Sequence, residues 1–152
     1  MKENHQTSDL EISLLNNYRH RNHVVYFDAY FTSPKIVLEL MNKGFGVTGT
    51  CKPNRQALPK EQYAKLEKGQ NEVFTYNHEI LNINWQDRKR VTLLTTVDSN
   101  KMIESNRYDE TLIPIAIQNY NNFTVTEAIK CAVTTVSVTR HSNTGKLYSY
   151  DY

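Results

Sequence analysis

The side chains that could do chemistry are one aspartate at the end of an apolar run and a set of basic residues after it. Asp28 closes the run His23–Phe27, so its carboxylate is expected to project from the end of a rigid element. On position alone, Asp28 is interpreted as a cap for the turn or helix that follows. Lys52, Arg55 and Lys60 could neutralise phosphates along a DNA backbone and release counterions. The alternative for these three residues is a solvated surface, as for most runs of charge.

A strand, a helix and a second strand are predicted around Asp28. The continuous apolar run before it is typical of a strand buried on both faces, as in a parallel sheet. Ser33 can cap a helix with Pro34 at its first position, and Gly44 tolerates the left-handed backbone beyond the end of a helix. Residues 45–50 then have strand character. A unit of this kind should be parallel and right-handed.

After this unit the sequence predicts a basic connection followed by a small antiparallel sheet. A helix is predicted from Pro59 to Lys68, where Gly69 stops it. Three strand-like segments rich in β-branched and aromatic residues follow, at residues 72–76, 81–85 and 90–97. The polar residues 86–89 form the turn of a hairpin between the last two segments.

Hydrophobic alternation predicts how one of these strands is buried. Leu81, Ile83 and Trp85 alternate with asparagines, which indicates one buried face and one wet face. Residues 98–110 are polar and are expected to form a loop. Near the end of the chain, residues 132–140 and 146–150 predict another hairpin.

The amino-terminal residues predict a short helix. Ser8 and Glu11 have the spacing of a capping box, in which each side chain satisfies a free N–H of the other residue. Leu10, Leu14 and Tyr18 recur at helical spacing, so the helix is expected to extend to about Asn17.

Composition limits the class of protein. The chain has 152 residues, with 39% hydrophobic and 22% charged residues, which is enough for one globular domain. The net charge of +2 is close to neutral, so nucleic acid binding must rest on local patches. Cys51 and Cys131 are expected to be free thiols in a reducing compartment. No signal peptide or membrane span is recognised, so we expect a soluble intracellular protein without a membrane partner.

Four segments occur in the order in which they are found in one known family. They are residues 26–33 (YFDAYFTS), residues 47–55 (VTGTCKPNR) continued by Leu58 and Pro59, residues 85–97 (WQDRKRVTLLTTV), and residues 119–121 (NYN). They resemble the DNFFTS, VTGTxRxNR with GLP, WxDxxxVxxLSTxH and YNxxMGGVDxxDQ segments of piggyBac-type DDE transposases and their domesticated relatives. One such segment would be a weak signal, whereas four in order over residues 10–121 make a specific one.

The resemblance implies a fold and an architecture. The expected fold class is α/β: an RNase H-like core fragment built on a parallel βαβ unit, with an inserted small antiparallel β region. Residues 1–122 would be a partial DDE transposase domain, with its core at residues 8–50 and its insertion at residues 52–110. Residues 123–152 would be an unrelated tail.

The resemblance also implies a chemistry. Family members cut and join DNA with three aspartates that hold two divalent metals, and two Mg²⁺ ions can activate the attacking hydroxyl and stabilise the leaving oxygen. Asp28 matches one of these aspartates, which makes it the candidate catalytic and metal-ligating residue. Lys52, Arg55 and Lys60 become candidate DNA contacts. DNA, another copy of the chain or a parent transposase are the implied partners, and the nucleus is the implied location.

The chain departs from the family pattern at the other two aspartates. The first is expected well upstream of the segment that holds Asp28, before this chain begins. The third is expected a few residues after Tyr120 and Asn121, where this sequence has no Gly-Gly and no Asp. Glu127 lies near the expected place, but the surrounding motif is lost and no role is assigned to it.

Three hypotheses remain open from sequence. The chain could be the remnant of a metal-dependent DNA transposase, inactive alone. It could instead be a non-catalytic DNA- or protein-binding module domesticated from a transposon. It could also be a reading frame without a stable product, because an RNase H-like sheet that lacks its first hairpin leaves an unpaired strand edge.

Overall fold

The fold is a mixed α/β arrangement in which one sheet lies between two helices. The computed structural model describes residues 12–13, 15–18, 22–58, 65–105, 111–130, 136–141 and 147–149, and it describes side chains as far as residue 124. A short 3-10 turn at Asn16–Tyr18 precedes the first strand.

The helices and strands follow one another in a simple order. The sequence starts with β1 (His23–Phe27), α1 (Pro34–Asn42) and β2 (Gly46–Thr50), followed by β3 (Asn71–Tyr76), β4 (Ile80–Gln86) and β5 (Arg90–Thr95). It continues with β6 (Met102–Glu104), β7 (Leu112–Pro114), α2 (Ile115–Lys130), β8 (Val136–His141) and β9 (Leu147–Ser149).

Seven of these strands form one sheet, in the order β3-β4-β5-β2-β1-β8-β9. β1 and β2 are parallel, with Val24 opposite Gly46 and Phe27 opposite Gly49, which confirms the predicted βαβ unit. The other pairs in this sheet are antiparallel. The predicted antiparallel strands β3 to β5 are present, but they do not form a separate sheet, because β5 pairs directly with β2.

The two faces of the sheet bury two separate apolar clusters. Alternate residues of β1 point to opposite faces, so Val25 and Phe27 pack with α1 while Val24 and Tyr26 pack with α2. All five residues of β1 are buried, as predicted for a strand covered on both faces. Asp28 thus leaves the sheet directly after a strand that is buried along its whole length.

The ends of α1 agree with the sequence prediction. Ser33 is the N-cap, and its Oγ accepts a hydrogen bond from the Ile36 N–H at 3.4 Å. Pro34 occupies the first turn, where the missing N–H leaves no acceptor unsatisfied. Gly44 adopts a φ of 83° just after the helix, in the left-handed region that glycine tolerates.

Two predictions about the β region are wrong. The face of β4 that carries Asn82 and Asn84 is not wet, since both side chains are buried. Thr92 on β5 donates a hydrogen bond to the Asn84 Oδ1 at 2.7 Å, which offsets part of the cost of burying this amide. The predicted loop of residues 98–110 contains β6, which pairs with β7 in a second, two-stranded sheet.

Helical structure also differs from the prediction. Residues 65–67, at the described end of the predicted helix of residues 59–68, have no helical structure. α2 was not predicted, and residue 122, the expected boundary of the tail, lies inside it. The tail hairpin is confirmed as the antiparallel pair β8 and β9.

Some predictions fall outside the described residues. These are the capping box at Ser8, the first part of the predicted helix from Pro59, Lys60 and Cys131. No helix in the described part of the chain is long and apolar enough to cross a membrane.

Candidate nucleic-acid interface

Asp28 lies directly after β1, at the end of the sheet formed by the carboxyl ends of the parallel strands β1 and β2. Ligands of α/β sheets bind preferentially outside the carboxyl ends of parallel strands. The loops that leave these ends are residues 28–33 and residues 51–58. Lys52 and Arg55 lie on the second loop. The structure therefore brings three of the four predicted site residues to the same end of the sheet.

The Asp28 side chain organises the first loop. Its Oδ1 accepts a hydrogen bond from the Tyr30 N–H at 2.8 Å, which is the geometry of an Asx turn. Its backbone carbonyl accepts from the Phe31 and Thr32 N–H groups at 3.3 and 3.1 Å, and from Thr32 Oγ1 at 2.7 Å. The capping interpretation of Asp28 therefore describes contacts that are present.

Arg55 joins the two loops. Its Nη2 donates to the backbone carbonyl of Tyr30 and, at 3.4 Å, to that of Ala29. Its Nε is buried and has no hydrogen-bond partner among the described residues. The described contacts of the guanidinium are thus with the protein backbone. Its predicted contact with DNA stays a prediction.

Lys52 and Tyr30 are exposed on the two loops at this end of the sheet. The Tyr30 side chain is 55% exposed, and the Lys52 Nζ lies 5.9 Å from the centre of its ring. That distance is within the range of a cation–π contact. Pro53 and Asn54 are exposed beside them. We call Tyr30 and residues 52–55 the basic loop surface.

Two hydroxyl groups lie beside Asp28 that were not predicted from sequence to be site residues. Thr50, at the end of β2, is within 3.2 Å of the Tyr120 hydroxyl on α2. Burial raises the pKa of Tyr120, the Thr50 hydrogen bond opposes this, and the negative charge of Asp28 raises the pKa further. The parallel register of β1 and β2 was the signal that could have placed Thr50 next to Asp28.

The neighbouring residue on α2 fixes the helix to the sheet. Asn119 Nδ2 donates to Asp98 Oδ1 at 2.7 Å, and Thr48 Oγ1 donates to Asp98 Oδ2 at 3.4 Å. Thr48 also lies 2.8 Å from the Thr95 hydroxyl, so the network crosses β2, β5 and α2. The Asn119 and Tyr120 pair of the last resembling segment therefore has a structural role in placing α2 over the sheet.

The metal-ligating side chains do not converge. Within the described residues, no group of three or more His, Cys, Asp or Glu side chains is placed to hold a metal ion. Glu127 lies on α2 seven residues after Tyr120, and its side chain is outside the described part. Within the described residues, the donor set around Asp28 is that one carboxylate and neutral hydroxyls, which does not fit a two-metal centre.

Comparison with known proteins places the fold. Residues 1–136 match the model of the family described as Transposase IS4. The structure is similar to that of a piggyBac transposase, solved by cryo-electron microscopy as a synaptic complex with hairpin DNA. The TM-score is 0.66 at 17% sequence identity, over 94% of this chain and 30% of the transposase chain. This chain thus spans less than a third of the length of the solved transposase.

Proposed function

This chain belongs to the Transposase IS4 family, with a piggyBac-type fold, and we propose that on its own it binds DNA without cutting it. The observation that carries the proposal is that, at the carboxyl ends of β1 and β2, a basic and an aromatic side chain are exposed while the carboxylate has a partner in the protein. There, Lys52 and Tyr30 are exposed to solvent beside each other, while the carboxylate of Asp28 is engaged with the Tyr30 N–H.

Charge on the two loops supports DNA as the ligand. Residues 28–33 and 51–58 carry Lys52 and Arg55 against Asp28, which leaves one net positive charge. Each phosphate that such a surface neutralises releases counterions, so the affinity falls as salt concentration rises. Lys60 extends the same basic segment in sequence and is proposed as a further phosphate contact.

The ancestral reaction of the family is metal-dependent DNA cleavage and strand transfer, with Mg²⁺ as the expected ion. The described donor set around Asp28 does not fit two such ions. The proposed function therefore uses no metal. Completion of a catalytic centre is proposed to require carboxylates from elsewhere, such as a second copy or a longer transposase.

We also propose an RNase H-like core and a nuclear location for the chain. The order β5-β2-β1, with parallel β1 and β2 and a helix on each face, is the support for the RNase H-like core. The nuclear location rests on DNA as the partner. Fluorescence imaging of the tagged full chain tests it, since exclusion from the nucleus would contradict it.

A cleavage assay separates the binding module from the enzyme. Labelled duplex DNA is incubated with the full chain in EDTA, in Mg²⁺ and in Mn²⁺, and both bound and cut DNA are measured. We expect the same binding in all three and no cleavage. The matched variant is Asp28→Asn, because the asparagine Oδ1 can still accept the Tyr30 N–H. Metal-dependent cleavage that disappears in this variant would overturn the proposal and restore an enzyme.

A further inference from the structure

Tyr30 stands out among the exposed apolar side chains of the described residues. Three large hydrophobic side chains there are markedly exposed: Tyr30, Val97 and Leu112. Tyr30 is the most exposed and the aromatic one, and it is the one with a lysine over its ring. An exposed ring beside a lysine ammonium offers a π-face and a positive charge within a few ångströms of each other.

The backbone of Tyr30 is held from both sides. Its N–H donates to Asp28, and its carbonyl accepts from Arg55 on the other loop. Its ring meets the Phe31 ring edge to face, with the centres 4.9 Å apart and an angle of 81° between the planes. A ring fixed in this way loses little conformational freedom when a ligand stacks on it.

From this arrangement we propose that Tyr30 and Lys52 bind one unpaired nucleotide of a DNA strand, with its base on the tyrosine ring and its phosphate on the lysine ammonium. Base–aromatic stacking is sequence-tolerant, because every base has a π-face. In a duplex those faces are covered by neighbouring base pairs, so an unpaired nucleotide fits the ring and a paired one does not. This inference rests on the proposed DNA-binding function and specifies the form of DNA.

The role of Arg55 follows from the same geometry. Its guanidinium contacts the carbonyls of Tyr30 and Ala29, so it positions the stacking residue and Lys52 supplies the charge. Asp28 acts in the same way through the Tyr30 N–H. Arg55 and Asp28, which were both predicted to be site residues, thus position Tyr30 through its backbone.

The test compares two DNA molecules and three variants of the full chain. One DNA is a blunt duplex, and the other is the same duplex with a short single-stranded extension that carries 2-aminopurine. Fluorescence anisotropy gives the affinities, and the 2-aminopurine emission reports stacking directly. Tyr30→Ala is expected to weaken binding of the extended DNA about tenfold and to weaken binding of the blunt duplex much less. Tyr30→Phe, which keeps the ring, should retain binding, and Lys52→Ala should weaken binding of both DNA molecules.

The outcomes separate this inference from the function on which it rests. If the chain binds both DNA molecules equally and Tyr30→Ala changes neither affinity, the stacking site is overturned and DNA binding stands. Equal losses on both DNA molecules in Tyr30→Ala would also overturn the stacking site. If the unaltered chain binds neither DNA, the proposed function itself fails. Quenched 2-aminopurine emission that depends on the Tyr30 ring supports the inference.

Discussion

At the scale of single residues, Asp28 and Arg55 both hold the backbone of Tyr30, one through its N–H and the other through its carbonyl. Their positions at the ends of the parallel strands were predictable, since each follows or closely follows a strand. Their hydrogen-bond partners were not, because Arg55 contacts residues 25 and 26 positions away along the chain. A charged side chain that is interpreted as a ligand contact from sequence can therefore be engaged with the backbone in the folded chain.

Cys51 gives a prediction at the same scale. Its side chain is buried, its Sγ lies 3.5 Å from the Thr32 carbonyl, and burial raises the pKa of the thiol to about 11, with Arg55 opposing the shift. Between the ordinary pKa of 9.0 and about 11, the unfolded state binds fewer protons, so stability falls as pH rises.

We expect the free energy of unfolding to fall by about 1 kcal/mol more between pH 8 and pH 10 in the unaltered chain than in Cys51→Ala. Urea unfolding at the two pH values measures the difference. Tyr120 and the other titrating groups are common to both chains and cancel. Parallel losses in the two chains would contradict the buried, protonated thiol.

At the scale of elements, a close approach packs the first loop, residues 28–33, against β2. Thr32 packs against Gly49 of β2, where an added Cβ would lie 2.4 Å from Thr32 Oγ1 and 3.0 Å from the Phe27 carbonyl oxygen. Thr32 cannot easily turn away, because its hydroxyl donates to the Asp28 carbonyl. The glycine of the VTGT segment and the threonine of the FTS segment are thus physical partners.

We expect Gly49→Ala to destabilise the chain by about 1–3 kcal/mol, because the methyl group has no room. Thr32→Ala should remove part of that cost, so the double variant should be more stable than the sum of the two single changes predicts. Urea unfolding of the four chains gives the coupling. Additive effects would show that the two residues do not meet in this way.

The same scale shows how much of the fold the sequence could predict. β1, α1, β2 and the hairpins follow from apolar runs, caps and turn residues, all of which are local signals. α2 lacks such signals, since its first turn holds no acidic residue and it is rich in asparagine and β-branched residues. It is helical through packing, with Ala116, Ile117 and Tyr120 buried on the sheet. Burial of Asn82 and Asn84 was equally unpredictable, because it depends on partners across the strands.

At the scale of the whole molecule, the tail extends the sheet beyond β1 by two strands, β8 and β9. β8 pairs antiparallel with all five residues of β1, with His23 opposite Arg140 and Phe27 opposite Val136. The strand edge expected to be unpaired is therefore covered by the chain itself. Such cover matters because an open, apolar strand edge is a template for pairing with another chain.

A chain ended at residue 130 is expected to unfold at lower temperature and to self-associate, because the edge of β1 would be exposed. A chain ended at residue 141 keeps β8 and serves as the matched control. Size-exclusion chromatography with light scattering and thermal unfolding measure both effects. A monomer of unchanged stability after the shorter truncation would mean that β8 does not protect the sheet.

The most direct test of the central claim, that the basic loop surface binds DNA through its charge, is a salt titration of DNA affinity. The variants are Lys52→Ala and, as the matched control, Lys101→Ala. Lys101 is exposed and follows β5, whose carboxyl end lies beside the amino end of β2 and therefore away from the basic loop surface. We predict that Lys52→Ala weakens binding to every duplex sequence and reduces the slope of log affinity against log salt by about 1, in EDTA as in Mg²⁺. Lys101→Ala should leave affinity and slope unchanged. Equal slopes for the unaltered chain and Lys52→Ala would contradict the claim.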